Sequence, residues 1–444
     1  MKERKKKKKK ILIILLVTLP VLAVGVFLYY KFCMDPYRGT NFDYVESLPL
    51  ETSLTAEQVS EDIDYVMKRL KTRHPAWLED DNQRVKDVEA QYELEMEQIR
   101  DKASLSVLEE LQIISRIMNR LHDGHTCVYA EREDSLYIHD FTELWEYGTP
   151  IKINGEPTKD ILDRFLGLYQ YEREEYAVRV FEDNVIYSEQ DMKLLDIDTS
   201  HGVTFTYDTD EGEKEYHYSF VRFEDVKMDY EYSDSDEAPN WVDYKIDKEN
   251  GVGIFVLEEC NYNAEYRNMV KEFFTAVDAS GIENIIVDLR LNGGGNSMVA
   301  DEFLHYLDID GYYTWADQVR YGNFLWKHEK RYIKNERENP VFSGKIYVLT
   351  DLSTFSAAMD FAMYIADNDL GVLVGEASGN LPEAYGDLLQ FITPNAKLTF
   401  SVSYKKWFRI DESKSGEPLT PDIVCDPAEA KHKAYEIISE STSE

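Results

Sequence analysis

The chain has 444 residues, with 85 acidic side chains against 49 basic ones and a formal net charge of −36. Holding nucleic-acid phosphates requires a basic surface, so this balance excludes nucleic-acid binding as the main role. The length allows two or three folding units, each with its own core. The four cysteines, Cys33, Cys127, Cys260 and Cys425, have neither the spacing of a zinc site nor the density of a disulfide framework.

Residues 1–10, "MKERKKKKKK", carry +7 and read as a cytoplasmic basic tail, which leaves −43 on the rest. Residues 11–30, "ILIILLVTLPVLAVGVFLYY", are twenty residues without a charge, the length of one membrane-spanning helix. The basic flank predicts a single-pass, uncleaved anchor in the cell membrane with everything after Lys31 outside the cytoplasm. A signal peptide would have a shorter apolar core and a small-residue cleavage site. A lipidated cysteine at Cys33 would follow small residues, and "YKFC" has none.

After a linker over 31–53, residues 54–133 read as a helical segment. Thr55 caps a helix with Val59, Ile63, Val66 and Leu70 on one face, and Leu105, Leu108, Leu111, Ile114 and Met118 stripe a second helix over Ser104–Arg120. Residues 134–248 read as β-rich, with "VTFTYDTDEGEKEYHYSFVRF" a hairpin turning at Asp208–Gly212. That acidic turn lacks the ligand ladder and closing Glu of a calcium loop, so no metal is expected there.

From 251 the texture changes to strands alternating with helices. "GVGIFVLEE", "NIIVDLRL", "KIYVLTD" and "GVLVGEA" are strands; "AEYRNMVKEFFTAVDAS", "NSMVADEFLHYLD" and "SAAMDFAMYIAD" are helices. This predicts an α/β core over 249–430 with a mostly parallel sheet covered by helices, then a tail over 431–444.

Three stretches could carry chemistry. In "VDLRLNGGGNS" a strand runs into Gly293–Gly295, where backbone N–H groups can approach a developing negative oxygen. The stretch is neither a dinucleotide fingerprint nor a P-loop, and the chain has no G-x-S-x-G elbow. In "IYVLTDLSTFSAAMDFAMY", Ser356 is either the cap of a helix or a nucleophile at its start. In "RLHDGHTCVY", His125 follows Gly124 in a turn that could aim an imidazole.

Taken in order, "HDGHT", "IIVDLRLNGGGNS", "IYVLTDLSTFSAAMDF", "GVLVGEASG" and "LTPDIV" resemble the C-terminal processing, or tail-specific, serine peptidases. The likeness covers about residues 55–130 and 250–427 and implies a core of the ClpP/crotonase-like type. "PIKINGEP" at 150–157 resembles a turn of a PDZ domain, so 134–248 would be a degenerate PDZ-like or substrate-gating region. One branch of the family pairs its serine with a lysine 25 residues later; here that position is Leu381, and no lysine lies between Ser356 and Lys397. The resemblance is therefore to the tricorn-core branch, and it implies a Ser356–His125 pair.

On that resemblance Ser356 attacks a scissile carbonyl of a polypeptide and His125 acts as general base. Gly294, Gly295 and Ala357 would form the oxyanion hole, with no cofactor or metal. The expected substrates are unfolded or C-terminal segments. The family's Glu before its "PDI" motif falls at Ser415, with Glu412 and Glu417 nearby, which leaves the residue that orients the imidazole open. The missing lysine, the open Glu and Met359 in place of the family's Glu in "SAAMD" motivate an alternative, an inactive peptide-binding or sensor protein on the same scaffold. A hydrolase of a small ester or lipid would use the same pair.

Overall fold

The computed structural model describes residue 16, residues 18–227 and residues 240–441. The basic tail and, within the expected anchor, residues 11–15 and 17 lie outside the described residues; residues 18–29 are helical and exposed. Among the described residues no helix is long and apolar enough to cross a membrane.

Helix α1 (Ala56–Arg73) starts at Thr55 through a capping box, in which Thr55 Oγ1 accepts from Gln58 N and Gln58 Oε1 accepts from Thr55 N. Helices α2 (Gln83–Ile99) and α3 (Val107–Asn119) follow, and Ser106 with Glu109 caps α3 in the same way. Val59, Ile63, Val66 and Leu70 are buried as their spacing predicts, together with Leu111, Ile114 and Met118. The same cluster contains Leu389, Phe391, Leu398 and Phe400, so the N-terminal helices pack on strands nearly three hundred residues later. Strand β1 (Val128–Tyr129) continues this contact by pairing with Thr399 and Phe400.

In the middle region, strands β2 (Lys152–Ile153), β3 (Glu156–Pro157), β4 (Val203–Thr209) and β5 (Gly212–Tyr218) form one sheet in the order β3-β2-β4-β5. The β4–β5 hairpin turns where the sequence predicts. Helices α4 (Thr158–Leu166) and α5 (Glu174–Asp183) share a core with this sheet through Ile161, Phe165, Ala177 and Phe181. Both helices bury one apolar face against the sheet, so the region is more mixed than its Tyr and Phe content suggests.

The last part contains β6 (Val242–Asp247), β7 (Val252–Leu257), α6 (Ala264–Ala279), β8 (Asn284–Asp288) and α7 (Met298–Leu304). The hairpin strands β9 (Ala316–Tyr321) and β10 (Phe324–His328) come next, then β11 (Lys345–Thr350), α8 (Ala357–Asp367) and β12 (Val372–Gly375). Two long strands, β13 (Tyr385–Ile392) and β14 (Thr399–Phe408), precede β15 (Ile423–Val424) and α9 (Pro427–Ser441).

One sheet runs β6-β7-β8-β11-β12-β15, parallel throughout except for β6 at its edge. All five residues of β8 are buried, as expected of a strand covered on both faces. Phe255, Ile285, Val287 and Val348 face the α6, α7 and α8 layer, while Ile254, Ile286 and Leu349 face Ala430, Ala434 and Ile438 of α9. Residues 431–441, expected as tail, therefore close one face of the core, and 442–444 lie outside the described residues.

A second sheet, β10-β9-β14-β13, carries β1 on β14. It joins the N-terminal helices to the parallel core and brings the turn before β1 over the start of α8. Ile438→Ala, which opens a cavity under the parallel sheet, is expected to cost about 2–5 kcal/mol in urea unfolding. A loss well under 1 kcal/mol would mean that α9 does not close the core.

Candidate active site

Ser356 stands between β11 and α8 with φ +52° and ψ −122°, and its side chain makes no capping hydrogen bond. A non-glycine residue held at positive φ costs of order 1–3 kcal/mol, and such strain accumulates where a side chain must be aimed. Ser356 N donates to Asn380 Oδ1 at 2.8 Å, which fixes the turn. The hydroxyl is thus freed from the cap and faces His125, with Oγ 3.0 Å from Nε2. A hydroxyl at that distance from an acceptor nitrogen can give up its proton to it.

His125 reaches Ser356 because the turn 123–126 is pinned at several points. Asp123 Oδ1 accepts from His125 N at 2.9 Å, and Asp123 Oδ2 accepts from Ser403 Oγ at 2.7 Å and lies 3.0 Å from His74 Nε2. Ser401 Oγ donates to the His125 carbonyl at 2.7 Å. Both serines belong to β14, so the β1–β14 pairing sets the imidazole. His74 Nδ1 accepts from Ala76 N at 3.2 Å, which leaves Nε2–H to donate to Asp123. Burial opposes ionisation of Asp123, but the His74 contact outweighs it and holds the carboxyl below its usual range.

The other imidazole nitrogen, Nδ1, is buried and has no hydrogen-bond partner among the described residues, and the same holds for Glu172 Oε1. They lie 3.8 Å apart, with Asp123 Oδ1 at 3.9 Å from the same nitrogen. Glu172 comes from the loop between α4 and α5, and its Oε2 accepts from Leu381 N at 2.8 Å. At the position where the Ser–Lys branch carries lysine, Leu381 therefore contributes backbone groups: its N–H steadies Glu172 and its carbonyl accepts from Asn380 Nδ2 at 3.2 Å. Burial acts against protonation of His125, but the carboxylates of Glu172 and Asp123 overcome it and raise its pKa above the ordinary imidazole value. Asp360, one turn into α8, is pushed up to about 7 by burial, with His125 opposing and Asp387 adding to the shift.

Asp123, His125 and Glu172 have ligand atoms within 4.8 Å of one another, close enough to share a cation. Asp123 already accepts from His125 N and Ser403, and His125 Nε2 faces Ser356, so the group is arranged as a hydrogen-bond network. Neither Glu412 nor Glu417 belongs to it. Glu412 is exposed 3.6 Å from Lys330, and exposed Glu417 offers its carbonyl to Arg409.

The glycine loop lies against Ser356. Phe355 N donates to the Asn292 carbonyl at 2.9 Å, and Asp351 accepts from both Leu291 N and Thr354 N. Gly294 has φ +100°, and a Cβ there would lie 2.7 Å from Phe355 O and 2.9 Å from Ala357 N, so only glycine fits. Gly294 N–H is itself engaged, donating to Asn292 Oδ1 at 2.9 Å. This corrects one expected oxyanion donor, because the buried Asn292 amide competes for that hydrogen. Gly295 N and Ala357 N, the first N–H of α8, have no acceptor among the described residues. The positive end of the helix adds to the attraction for an oxyanion there.

Residues 251–425 match the family model described as peptidase family S41. This part of the chain is a peptidase family S41 domain. It is the domain of a serine-type peptidase of the C-terminal processing kind, a hydrolase whose substrates are polypeptides. No curated protein matches the sequence. The fold is similar to that of mature CPAF complexed with lactacystin, at 14% identity and a TM-score of 0.59, covering 87% of this chain and 97% of that one. A mutant of CPAF gives 14% identity and a TM-score of 0.61 over 86% and 96% of the two chains. The photosystem II D1 C-terminal processing protease gives 12% identity and a TM-score of 0.45 over 84% and 94%.

Gly294→Ala forces the loop away from Ser356 and is expected to slow fluorophosphonate labelling about a hundredfold. An unchanged labelling rate would show that the loop does not shape the site. The raised His125 pKa keeps the imidazole protonated at mildly acidic pH, so kcat/KM should rise with pH through an inflexion above 6.5. Glu172→Gln removes the facing charge and should move that inflexion down; an unmoved inflexion would remove Glu172 from the site.

Proposed function

We propose that this chain is a membrane-anchored extracytoplasmic serine endopeptidase that uses Ser356 as nucleophile and His125 as general base, through an acyl-enzyme. The observation that carries the reading is the 3.0 Å separation of Ser356 Oγ and His125 Nε2 at a strained turn that gives the hydroxyl no capping role. His125 takes the hydroxyl proton as Oγ bonds to the scissile carbonyl carbon, and then delivers it to the leaving amine. A water repeats the sequence in reverse to release the acid. Glu172 is the positioning residue, holding Nδ1–H toward itself and balancing the imidazolium. Gly295 N–H and Ala357 N–H receive the oxyanion.

Anchoring in the cell membrane is supported by the uncharged run at 11–30 and the basic residues before it. On the same reading the described domain lies outside the cytoplasm, where unfolded or C-terminal polypeptide segments are its substrates. Met359, one of the motives for the binding-protein alternative, is a core residue on the buried face of α8. Ser356→Ala should abolish both fluorophosphonate labelling and cleavage of an unfolded protein, and His125→Ala should lower them about 10²–10⁴-fold. Retained cleavage in the Ser356→Ala variant would overturn the assignment.

A further inference from the structure

In a chain this acidic, one cluster of cations stands out. Arg38, Lys68, Arg69 and Arg73 line a cavity of about 400 Å³ together with Phe32 and Cys33. Among the described residues none of the four is in an ion pair, and the Nε atoms of Arg69 and Arg73 are buried with no hydrogen-bond partner. The donors that are engaged meet neutral groups: Arg38 Nη1 donates to the Phe32 carbonyl at 2.6 Å, Arg73 Nη2 to the Arg38 carbonyl at 3.2 Å, and Arg69 Nη2 to the Tyr65 hydroxyl at 2.9 Å. The nearby carboxylate of Asp35 is already taken by Lys31 at 2.8 Å and Tyr37 N at 3.1 Å. Burial and the charges of Arg69 and Arg38 lower the Arg73 pKa.

Like charges gathered around a cavity, with buried N–H groups left unpaired, are unfavourable until an anion enters. The location narrows the choice of anion. Helical residues 18–29 continue through a π-helix over Tyr30–Met34 into the turn that follows, and the β9–β10 turn packs on this segment, with Gly322 against the Cys33 carbonyl. The cavity therefore lies where the polypeptide leaves the proposed anchor.

We propose that this cavity binds the phosphate of an anionic phospholipid headgroup and so holds the domain against the bilayer in a fixed orientation. The inference rests on the membrane-anchored reading. A domain region carrying −43 is repelled by an anionic membrane surface, and a local patch of cations at the exit point counters that repulsion. Arg38, Lys68, Arg69 and Arg73 grip the phosphate oxygens, while the exposed Phe32 ring lies at headgroup depth.

The test is hydrogen exchange on the full-length chain in nanodiscs of phosphatidylcholine, alone or with a minority of phosphatidylglycerol. Protection of residues 32–39 and 65–73 is expected only with phosphatidylglycerol. Arg69→Gln with Arg73→Gln should weaken the binding of phosphatidylglycerol roughly 30-fold, at about 1 kcal/mol per charge, and so remove the protection at that fraction. Because Arg69 also packs between Tyr65 and Phe391, the exposed pair Arg38→Gln and Lys68→Gln is a second variant expected to give the same loss. Equal exchange in both lipids, with the chain incorporated, would overturn the headgroup site alone. A chain that does not co-elute with pure phosphatidylcholine nanodiscs would overturn the anchor and the site with it. Inorganic phosphate protecting the chain in phosphatidylcholine as well as phosphatidylglycerol does would overturn the lipid assignment.

Discussion

The buried carboxylate of Asp123 is the constraint on which the site depends. It receives the His125 backbone N–H within its own turn and the Ser403 hydroxyl, and it faces the His74 ring, which ties two distant parts of the chain to one turn. An ionised carboxylate survives in such a place only when its lone pairs are taken up, because an unpaired buried charge is expensive. Every partner must therefore be in position at once. That requirement makes β14 and α3 fold onto each other, and it delivers an imidazole to a serine 231 residues away in sequence.

The parallel sheet performs the complementary task. β8 and β11 end side by side, so their loops, 289–296 and 351–356, meet at the start of α8. Asp351 accepts from Leu291 N, and the Asn292 carbonyl accepts from Phe355 N, which binds these loops to each other. The positive φ values of Ser356 and Gly294 are then enforced by their neighbours, and the strain is offset by the buried hydrogen bonds around them. No lysine lies in the site among the described residues, and the carboxylates of Glu172 and Asp123 favour the protonated form of the imidazole. Glu172, at 3.8 Å, is the nearer of them to Nδ1, and it lies outside the residues that match the peptidase family S41 model.

Much of this was legible in the sequence. From 251 to 304 and again from 345 to 375 the strands and helices follow the expected alternation, because each strand there is apolar on both faces and each helix keeps an apolar stripe; the antiparallel strands β9, β10, β13 and β14 were not expected. The Ser356 and His125 stretches were legible as well, through the glycines and turns beside them. Glu172 was not, since "QYEREEY" resembles an exposed charged helix start, and only the Leu381 contact singles it out. Asn292 competing for Gly294 N–H, and His74 behind Asp123, are three-dimensional relations without a sequence pattern. Helix α9 was missed because small residues carry its buried face; Ala430 and Ala434 pack closely without giving an amphipathic signal.

Two structural units meet at one imidazole: the strained Ser356 turn and pinned His125 turn on one side, and the Glu172 loop on the other. In the free protein Nδ1 and Glu172 Oε1 are 3.8 Å apart, and attack at Ser356 would make His125 cationic and draw them together. Proton NMR of the chain carrying a peptide boronate on Ser356 tests this directly. The account predicts a far-downfield resonance from His125 Nδ1–H that vanishes in Glu172→Gln. A covalent adduct with no such resonance, or one that persists unchanged without Glu172, would contradict it.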